Sequence, residues 1–360
     1  MKAAICYEFG KPLVIEEIEI APPKKSEVKV RVATTAICHS DIHDLKGELP
    51  GGTPFVGGHE VAGYIDEIGS DVAGLKSGEP VVVSLVKSCG KCYFCITGMP
   101  HLCEGFGQMK PEAHLRNKQG QPLMAKGGVG GFAEYVVVDE SQVVVIPEEM
   151  PIDRAALLAC GVITGFGAVV NRMKVRPFNS VVVIGTGGVG LNAIQGAAYS
   201  GAYPIIAVDV LDNKLKAALD FGATHTVNSK QVDPIEAVKK MTSGRGADYV
   251  FVTVGSISAV RQGFSMTGPR GTAVVIGLPP FKETLSLSPM EFIRAERSIS
   301  GAFMGSVNLK VDIPRLVKLY QSGVLKLDEL ITGRYPLEKI NEAVASVEKG
   351  EALRNVIMFK

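Results

Sequence analysis

Apolar and polar positions alternate at the strand period through roughly the first 150 residues, most clearly at Val28-Lys29-Val30-Arg31-Val32. Val81-Val82-Val83 and Tyr135-Val136-Val137-Val138 are short β-branched runs that also predict strands. Glycine and proline punctuate them, as in Pro50-Gly51-Gly52 and Gly57-Gly58, and helical periodicity is scarce. Short strands between turn signals predict a β-barrel-like domain.

The texture changes near residue 160, where strands begin to alternate with capped helices, the pattern of a parallel α/β sheet. Ser180 to Ile184 reads as a buried strand, followed by a glycine-rich turn and a helix stopped by Gly201. Ile205 to Val208 is the next strand, and Asp212 is placed to cap a helix ending at Gly222. Asp233-Pro234 is an N-cap with proline at the first helical position, closed by Gly244. Tyr249 to Val254 and Thr272 to Ile276 supply further strands. Two helix patterns follow residue 303, the second opened by Pro336-Leu337-Glu338 and closed by Gly350. There is no internal repeat.

Composition narrows the class. A length of 360 residues suits two domains, and 46% hydrophobic with 21% charged residues excludes disorder. Thirty-eight Lys and Arg against 37 Asp and Glu give +1, no field to attract nucleic acid or a membrane surface. No apolar stretch approaches the ~18 residues of a spanning helix, and Met1 to Phe9 is too short for a signal h-region. The expectation is a soluble cytoplasmic protein without nucleic-acid or membrane partners.

Gly185-Thr186-Gly187-Gly188-Val189-Gly190 has the form G-x-G-x-x-G, a weak signal alone. Here it follows Val181-Val182-Val183-Ile184, opens a helix with small Ala193, Ala197 and Ala198, and stands nineteen residues before Asp209 at the next strand's end. That context makes it a dinucleotide fingerprint. Gly187 lets backbone approach a pyrophosphate, the helix N-terminus offers N–H groups, and Gly190 allows close helix–strand packing. Asp209 would accept from both ribose hydroxyls and repel a 2′-phosphate, which favours NAD over NADP. The alternative is a purely structural turn.

Four of the seven cysteines crowd into fifteen residues, Cys89-x2-Cys92-x2-Cys95-x7-Cys103. They can supply four thiolates to a tetrahedral zinc ion. An iron–sulfur cluster is the competitor, but in bacterial ferredoxins the fourth Cys follows after three residues and precedes Pro. Here it follows after seven and precedes Glu104. Four thiolates close the shell, so this metal would hold a lobe together and do no chemistry. Cys38-His39-Ser40-Asp41-Ile42-His43 and Gly57-Gly58-His59-Glu60 are two further polar knots. Spacing alone does not assemble Cys38, His59 and Cys160 into one site. Cys6 reads as a small core residue.

Those segments, with the four-Cys lobe, Leu158-Ala159-Cys160-Gly161, the glycine turn and the tail Leu353-Arg354-Asn355-Val356, occur in the order and spacing of a known family. Along essentially its whole length the chain resembles the zinc-dependent alcohol dehydrogenases of the medium-chain dehydrogenase/reductase superfamily. The resemblance implies an α/β protein with a β-rich GroES-like (chaperonin-10-like) catalytic domain over 1–161. A Rossmann domain with a doubly wound parallel sheet would follow over 162–303, and 304–360 would return to the catalytic domain.

It also implies that Cys38, His59 and Cys160 bind a catalytic zinc, the Cys₂His set familiar from alcohol dehydrogenases, with a position left for water or substrate oxygen. Glu60 would lie near that metal, and Asp41 would orient the ligand histidine. Ser40 would hydrogen-bond the substrate oxygen, and His43 would pass the proton to solvent. His39 and Arg354 would meet the cofactor phosphates, Thr164 and Val189 the nicotinamide, and Lys214 the ribose. Leu49, Leu85 and Phe303 fall at pocket positions and imply an apolar primary or secondary alcohol. The implied reaction is reversible oxidation to aldehyde or ketone with NAD, in a homo-oligomer carrying two zinc ions per chain.

The segment Gly105 to Gly131 is shorter than in the animal liver enzymes and longer than in the yeast-type tetramers, so dimer and tetramer both stay open. Leu49 falls near an acidic position of the glutathione-dependent formaldehyde branch, which counts against that substrate. Polyol and threonine dehydrogenases usually carry a carboxylate where Cys160 stands, and zinc-free quinone or enoyl reductases lack the ligand set. A non-catalytic NAD-binding protein would need neither ligands nor relay. Whether the cofactor is released or stays bound is left open.

Overall fold

The computed structural model describes residues 1–106, 114–280 and 282–360 of the chain, so part of the Gly105–Gly131 segment lies outside the described residues. Two compact units divide it: 1–160 with 308–360, and 161–307. Residues 304–307, expected to begin the C-terminal return, belong instead to the second unit. The reason is a close approach. A Cβ on Gly305 (φ 63°) would lie 2.0 Å from the Ile163 carbonyl oxygen, so the turn Met304–Ser306 sits directly on the helix Gly161–Gly167.

In the first unit the strand Glu27–Ala36 buries Val28, Val30 and Val32 on one face, as its alternation predicts. It pairs antiparallel with Glu60–Ile68, Tyr135–Asp139 and Arg354–Met358 in a seven-stranded sheet. Pro80–Val83 and Val143–Val145 extend that sheet beyond Glu60–Ile68. A six-stranded sheet that includes Lys2–Cys6 and Phe55–Val56 completes the barrel-like domain. Register positions the chemistry. Ala36 stands opposite Glu60 on one side and Val356 on the other, so three strand ends bring Cys38, Glu60 and Arg354 together.

The second unit is a six-stranded, all-parallel sheet in the order His225–Asn228, Ile205–Asp209, Val181–Ile184, Ala247–Val252, Thr267–Val275 and Ser298–Gly301. Strand order reverses beside Val181–Ile184, all of it buried, and the glycine turn leaves the carboxyl end of that strand. Such a reversal is where doubly wound sheets bind ligands. Asp233 caps Pro234–Met241 as expected, accepting from the N–H groups of Ile235 and Glu236. Asp212 does not cap its helix. Leu211 holds that position, its carbonyl accepting from the Lys214 and Leu215 N–H groups, both at 3.1 Å. Asp212 Oδ1 accepts from Asn228 Nδ2 at 2.6 Å, and Asp209 Oδ1 accepts from Val210 N–H at 2.7 Å and Leu211 N–H at 3.0 Å. Among the described residues no helix is long and apolar enough to cross a membrane.

Candidate active site

Cys38 is the N-cap of the short helix His39–Leu45, and Asp41 in its first turn organises the surroundings. Asp41 Oδ2 accepts the Cys38 N–H at 2.8 Å, and Oδ1 accepts from Gly58 N–H and His59 Nδ1, both at 3.1 Å. Because a carboxylate only accepts, this bond puts the His59 proton on Nδ1 and leaves Nε2 free to coordinate. Gly58 (φ 85°) must be glycine: a Cβ there would lie 2.6 Å from the Phe132 ring. Cys160 follows the helix Ile152–Leu157, and the Ser84 hydroxyl donates to Ala159 O at 2.6 Å. Ser84 carries no sequence signal; only its place beyond Pro80–Val83, beside the Glu60 strand, reveals it.

The sulfur atoms of Cys38 and Cys160, a His59 ring nitrogen and a Glu60 carboxylate oxygen lie within 4.8 Å of one another, all in buried residues. Glu60 Oε2 is ion-paired with Arg354, itself only 5% exposed, while Glu60 Oε1 has no partner among the described residues. A buried carboxylate oxygen left without a donor is costly, and a cation among these groups would relieve it. The donor set fits zinc.

Proton sharing within the cluster points the same way. A hydrogen bond from Cys160 holds the Cys38 thiol well below its usual range and Cys160 well above. Burial opposes charge on His59, yet the Asp41 carboxylate and Cys38 raise it well above the ordinary imidazole. Burial pushes Glu60 up to about 7 against the pull of Arg354. A divalent cation would displace these shared protons.

Cys89, Cys92, Cys95 and Cys103 form a second cluster with ligand atoms likewise within 4.8 Å. Cys92 opens the single turn Tyr93–Ile96, and Cys103 Sγ accepts the N–H groups of Cys89 at 3.2 Å and Gly105 at 3.3 Å. Backbone N–H groups of Cys95 and Glu104 bring Cys92 down to about 6. Desolvation, then the neighbouring Cys92, pushes Cys95 up to about 12. Four sulfurs complete a tetrahedron.

In the second unit Gly187 caps the helix Gly188–Tyr199, and beyond its chain neighbours none of the described residues lies within 4 Å of where its Cβ would stand, which leaves room for a phosphate. A Cβ on Gly190 would lie 1.8 Å from Gly185 O, so helix and turn meet backbone to backbone. Gly185 itself has φ 88°, and Gly188 and Val189 are half-buried in the helix's first turn. Asp209 Oδ2 accepts from the Thr186 N–H at 2.7 Å and hydroxyl at 3.0 Å. With Val210 and Leu211 on Oδ1, the carboxylate already holds four donors. The sequence reading did not single out Thr186, although its place between the first two glycines was a signal. Thr164 is buried and donates to Met304 Sδ at 3.7 Å, and Lys214 lies near the start of Asp212–Asp220.

The remaining expected residues divide by unit. Ser40 Oγ stands 3.5 Å from His59 Nε2, beside the metal cluster. His39 is exposed, with its ring edge-on to His43 at 5.6 Å. Leu49 and Leu85 are half-buried in the first unit; Phe303, 40% exposed, belongs to the second. The phosphate contact expected of Arg354 has a competitor, because its guanidinium is engaged by Glu60.

Similarity to known proteins agrees with this geometry. The alcohol dehydrogenase GroES-like domain family matches residues 24–148, and the zinc-binding dehydrogenase family matches 188–322. An NDMA-dependent alcohol dehydrogenase from Amycolatopsis methanolica is 38% identical, over 99% of this chain and 98% of its own. The chain belongs to the zinc-binding medium-chain alcohol dehydrogenase family. Two solved members of that family are similar throughout. An alcohol dehydrogenase zinc-binding domain protein from Burkholderia ambifaria has a TM-score of 0.95 at 34% identity, covering 100% of this chain and 98% of its own. Benzyl alcohol dehydrogenase from Acinetobacter calcoaceticus has a TM-score of 0.93 at 34% identity, covering 100% and 99%. As a zinc alcohol dehydrogenase the chain is an oxidoreductase acting on CH–OH groups, and its two metal clusters are consistent with a catalytic and a structural zinc.

Proposed function

We propose that this alcohol dehydrogenase reversibly oxidises an apolar primary or secondary alcohol to its aldehyde or ketone with NAD as acceptor. The observation that carries the reading is the buried Cys38–His59–Cys160 set with Glu60 beside it. When bound, zinc supplies a Lewis acid that polarises the substrate oxygen and NAD supplies the hydride acceptor.

The chain's own residues do the rest. Cys38, His59 and Cys160 would hold the catalytic zinc, Asp41 fixes the His59 ring, and Cys89, Cys92, Cys95 and Cys103 would hold the structural one. Ser40 receives the hydroxyl proton of the substrate, and His43 carries it outward. Leu49, Leu85 and Phe303 favour an apolar substituent. Gly185, Gly187, Gly188, Val189 and Gly190 admit a pyrophosphate, with His39, Thr164, Lys214 and Arg354 as further cofactor contacts. At Asp209 a ribose hydroxyl would compete with the Thr186 hydroxyl, and a 2′-phosphate would meet negative charge. Ser298–Gly301 is an edge strand with exposed Ile293 near it in sequence, which supports a homo-oligomer.

The test is a panel of aliphatic, aromatic and polyol alcohols with NAD⁺ and with NADP⁺. A preference for polyols, or for NADP⁺ in kcat/KM, would overturn the reading. The NDMA-dependent relative favours a second reading, in which the nucleotide stays bound and another acceptor is needed. Nucleotide absorbance in freshly purified protein, with turnover on NDMA and no added NAD⁺, would support that one.

A further inference from the structure

The helix that carries Ser40 and His43 ends in a glycine cap. Gly47 (φ 73°) donates its N–H to Asp44 O at 3.0 Å, and Glu48 donates its N–H to His43 O at 2.9 Å. In this cap the second residue beyond the helix end folds back over the last turn, where an apolar contact is usual. Here that residue is Glu48, and its carboxylate meets His43 Nδ1 on the last turn. The loop beyond is pinned: Lys126 Nζ donates to Pro50 O at 2.8 Å and pairs with Asp44 at 2.9 Å. Lys46 turns to Glu348 on the helix Ile340–Glu348 at 3.0 Å, and His39 stands edge-on to the His43 ring.

We propose that Glu48 and His43 form a carboxylate–imidazole dyad, with Glu48 the positioning residue that sets the ring's tautomer and orientation for proton relay. The inference rests on the relay role proposed for His43. A carboxylate only accepts, so the neutral ring carries its proton on Nδ1 and presents the Nε2 lone pair. The relayed proton bonds to Nε2, making an imidazolium whose Nδ1–H still faces Glu48. Nε2 then releases that proton to water, and Nδ1 keeps its own throughout. Catalytic triads use the same division of labour, with a carboxylate that orients the ring and never takes its proton. The hydrogen bond from His43 also holds the Glu48 carboxyl below its usual range. The His43 and Glu48 side chains are 24% and 41% exposed, so solvent and salt weaken the effect without abolishing it.

The test uses the full-length, metal-loaded enzyme. Nitrogen-15 NMR of the His43 ring should show the Nδ1–H tautomer in wild type and a shift toward Nε2–H in Glu48→Ala. Glu48→Gln, whose amide oxygen still accepts, should keep the tautomer and recover most of the kcat lost in Glu48→Ala. Glu48→Ala should reduce plateau kcat by about two- to fivefold, with unchanged metal content and a smaller loss in high salt. In a His43→Gln background Glu48→Ala should cost nothing more. An Nε2–H tautomer in wild type, or an equal loss from Glu48→Ala with His43 already replaced, overturns the dyad. A His43→Gln enzyme with the wild-type kcat–pH profile overturns the relay itself, and the dyad's catalytic role with it, even where the Nδ1–H tautomer stands.

Discussion

The four-cysteine lobe takes its ligands from fifteen consecutive residues and leaves Cys89 exposed, whereas the Cys38–His59–Glu60–Cys160 cluster gathers buried residues from three separate segments. The lobe is held by two short helical turns, Tyr93–Ile96 and Pro100–Leu102, and by N–H groups donated to sulfur. The buried cluster is framed by strand ends, by Asp41 on His59 and by Arg354 on Glu60. A metal in the lobe therefore organises chain that has little other support. A metal in the buried cluster would enter a scaffold that is already framed, and held by Cys38, His59 and Cys160 as proposed it would keep a fourth position for chemistry.

Removing a ligand from each cluster should separate the two roles, and the largest loss is expected at the buried one. Cys160→Ser should give a folded protein with about one zinc and activity reduced by at least about 10⁴-fold, since it disables the metal on which the reaction depends. Elemental analysis and circular dichroism beside the alcohol assay would check this. An active variant would remove Cys160 from the reading.

Next in size is Ser40→Ala, which keeps both clusters and removes only the proposed proton acceptor. Positioned proton transfer contributes about 10²–10⁴-fold, so kcat should fall within that range at unchanged zinc content. A value within about threefold of wild type, with a deuterated substrate showing that hydride transfer limits the rate, would mean that Ser40 merely packs there.

Cys95→Ser should act on stability instead. Loss of a structural zinc forfeits folding energy, so the variant should lose one metal, melt lower and aggregate on heating. The protein left in the soluble fraction should still oxidise alcohol. Loss of activity with an unchanged melting temperature would reverse the roles assigned to the two clusters.

The smallest effect concerns pH. Burial raises Glu60 from an ordinary 4.5 to about 7, so its contribution to stability is full below about 4.5 and is lost as pH rises through about 7. In metal-stripped protein the stability difference between wild type and Glu60→Gln should move against wild type by roughly 3 kcal/mol across that window. Parallel pH profiles of the two melting temperatures would show that Glu60 does not titrate there.

Much of the fold was legible because its signals are local. The alternation around Val30, the cap at Asp233 and the glycine turn each depend on a few neighbouring residues, and the structure agrees with all three. Asp212 misled because a capping side chain was in place, but the helix is capped one residue earlier at Leu211, and the Asp212 carboxylate instead accepts from Asn228 on the neighbouring strand.

The sequence by itself determined the four-cysteine lobe, the glycine turn and the change from alternating strands to a parallel α/β sheet, since spacing along the chain carries those patterns. Only the tertiary structure decided that Cys38, His59, Glu60 and Cys160 share one buried site, that Arg354 turns its guanidinium to Glu60, and that Thr186 occupies Asp209. Strand register brings Ala36 opposite both Glu60 and Val356, and register is a property of pairing between distant segments, which no local pattern encodes.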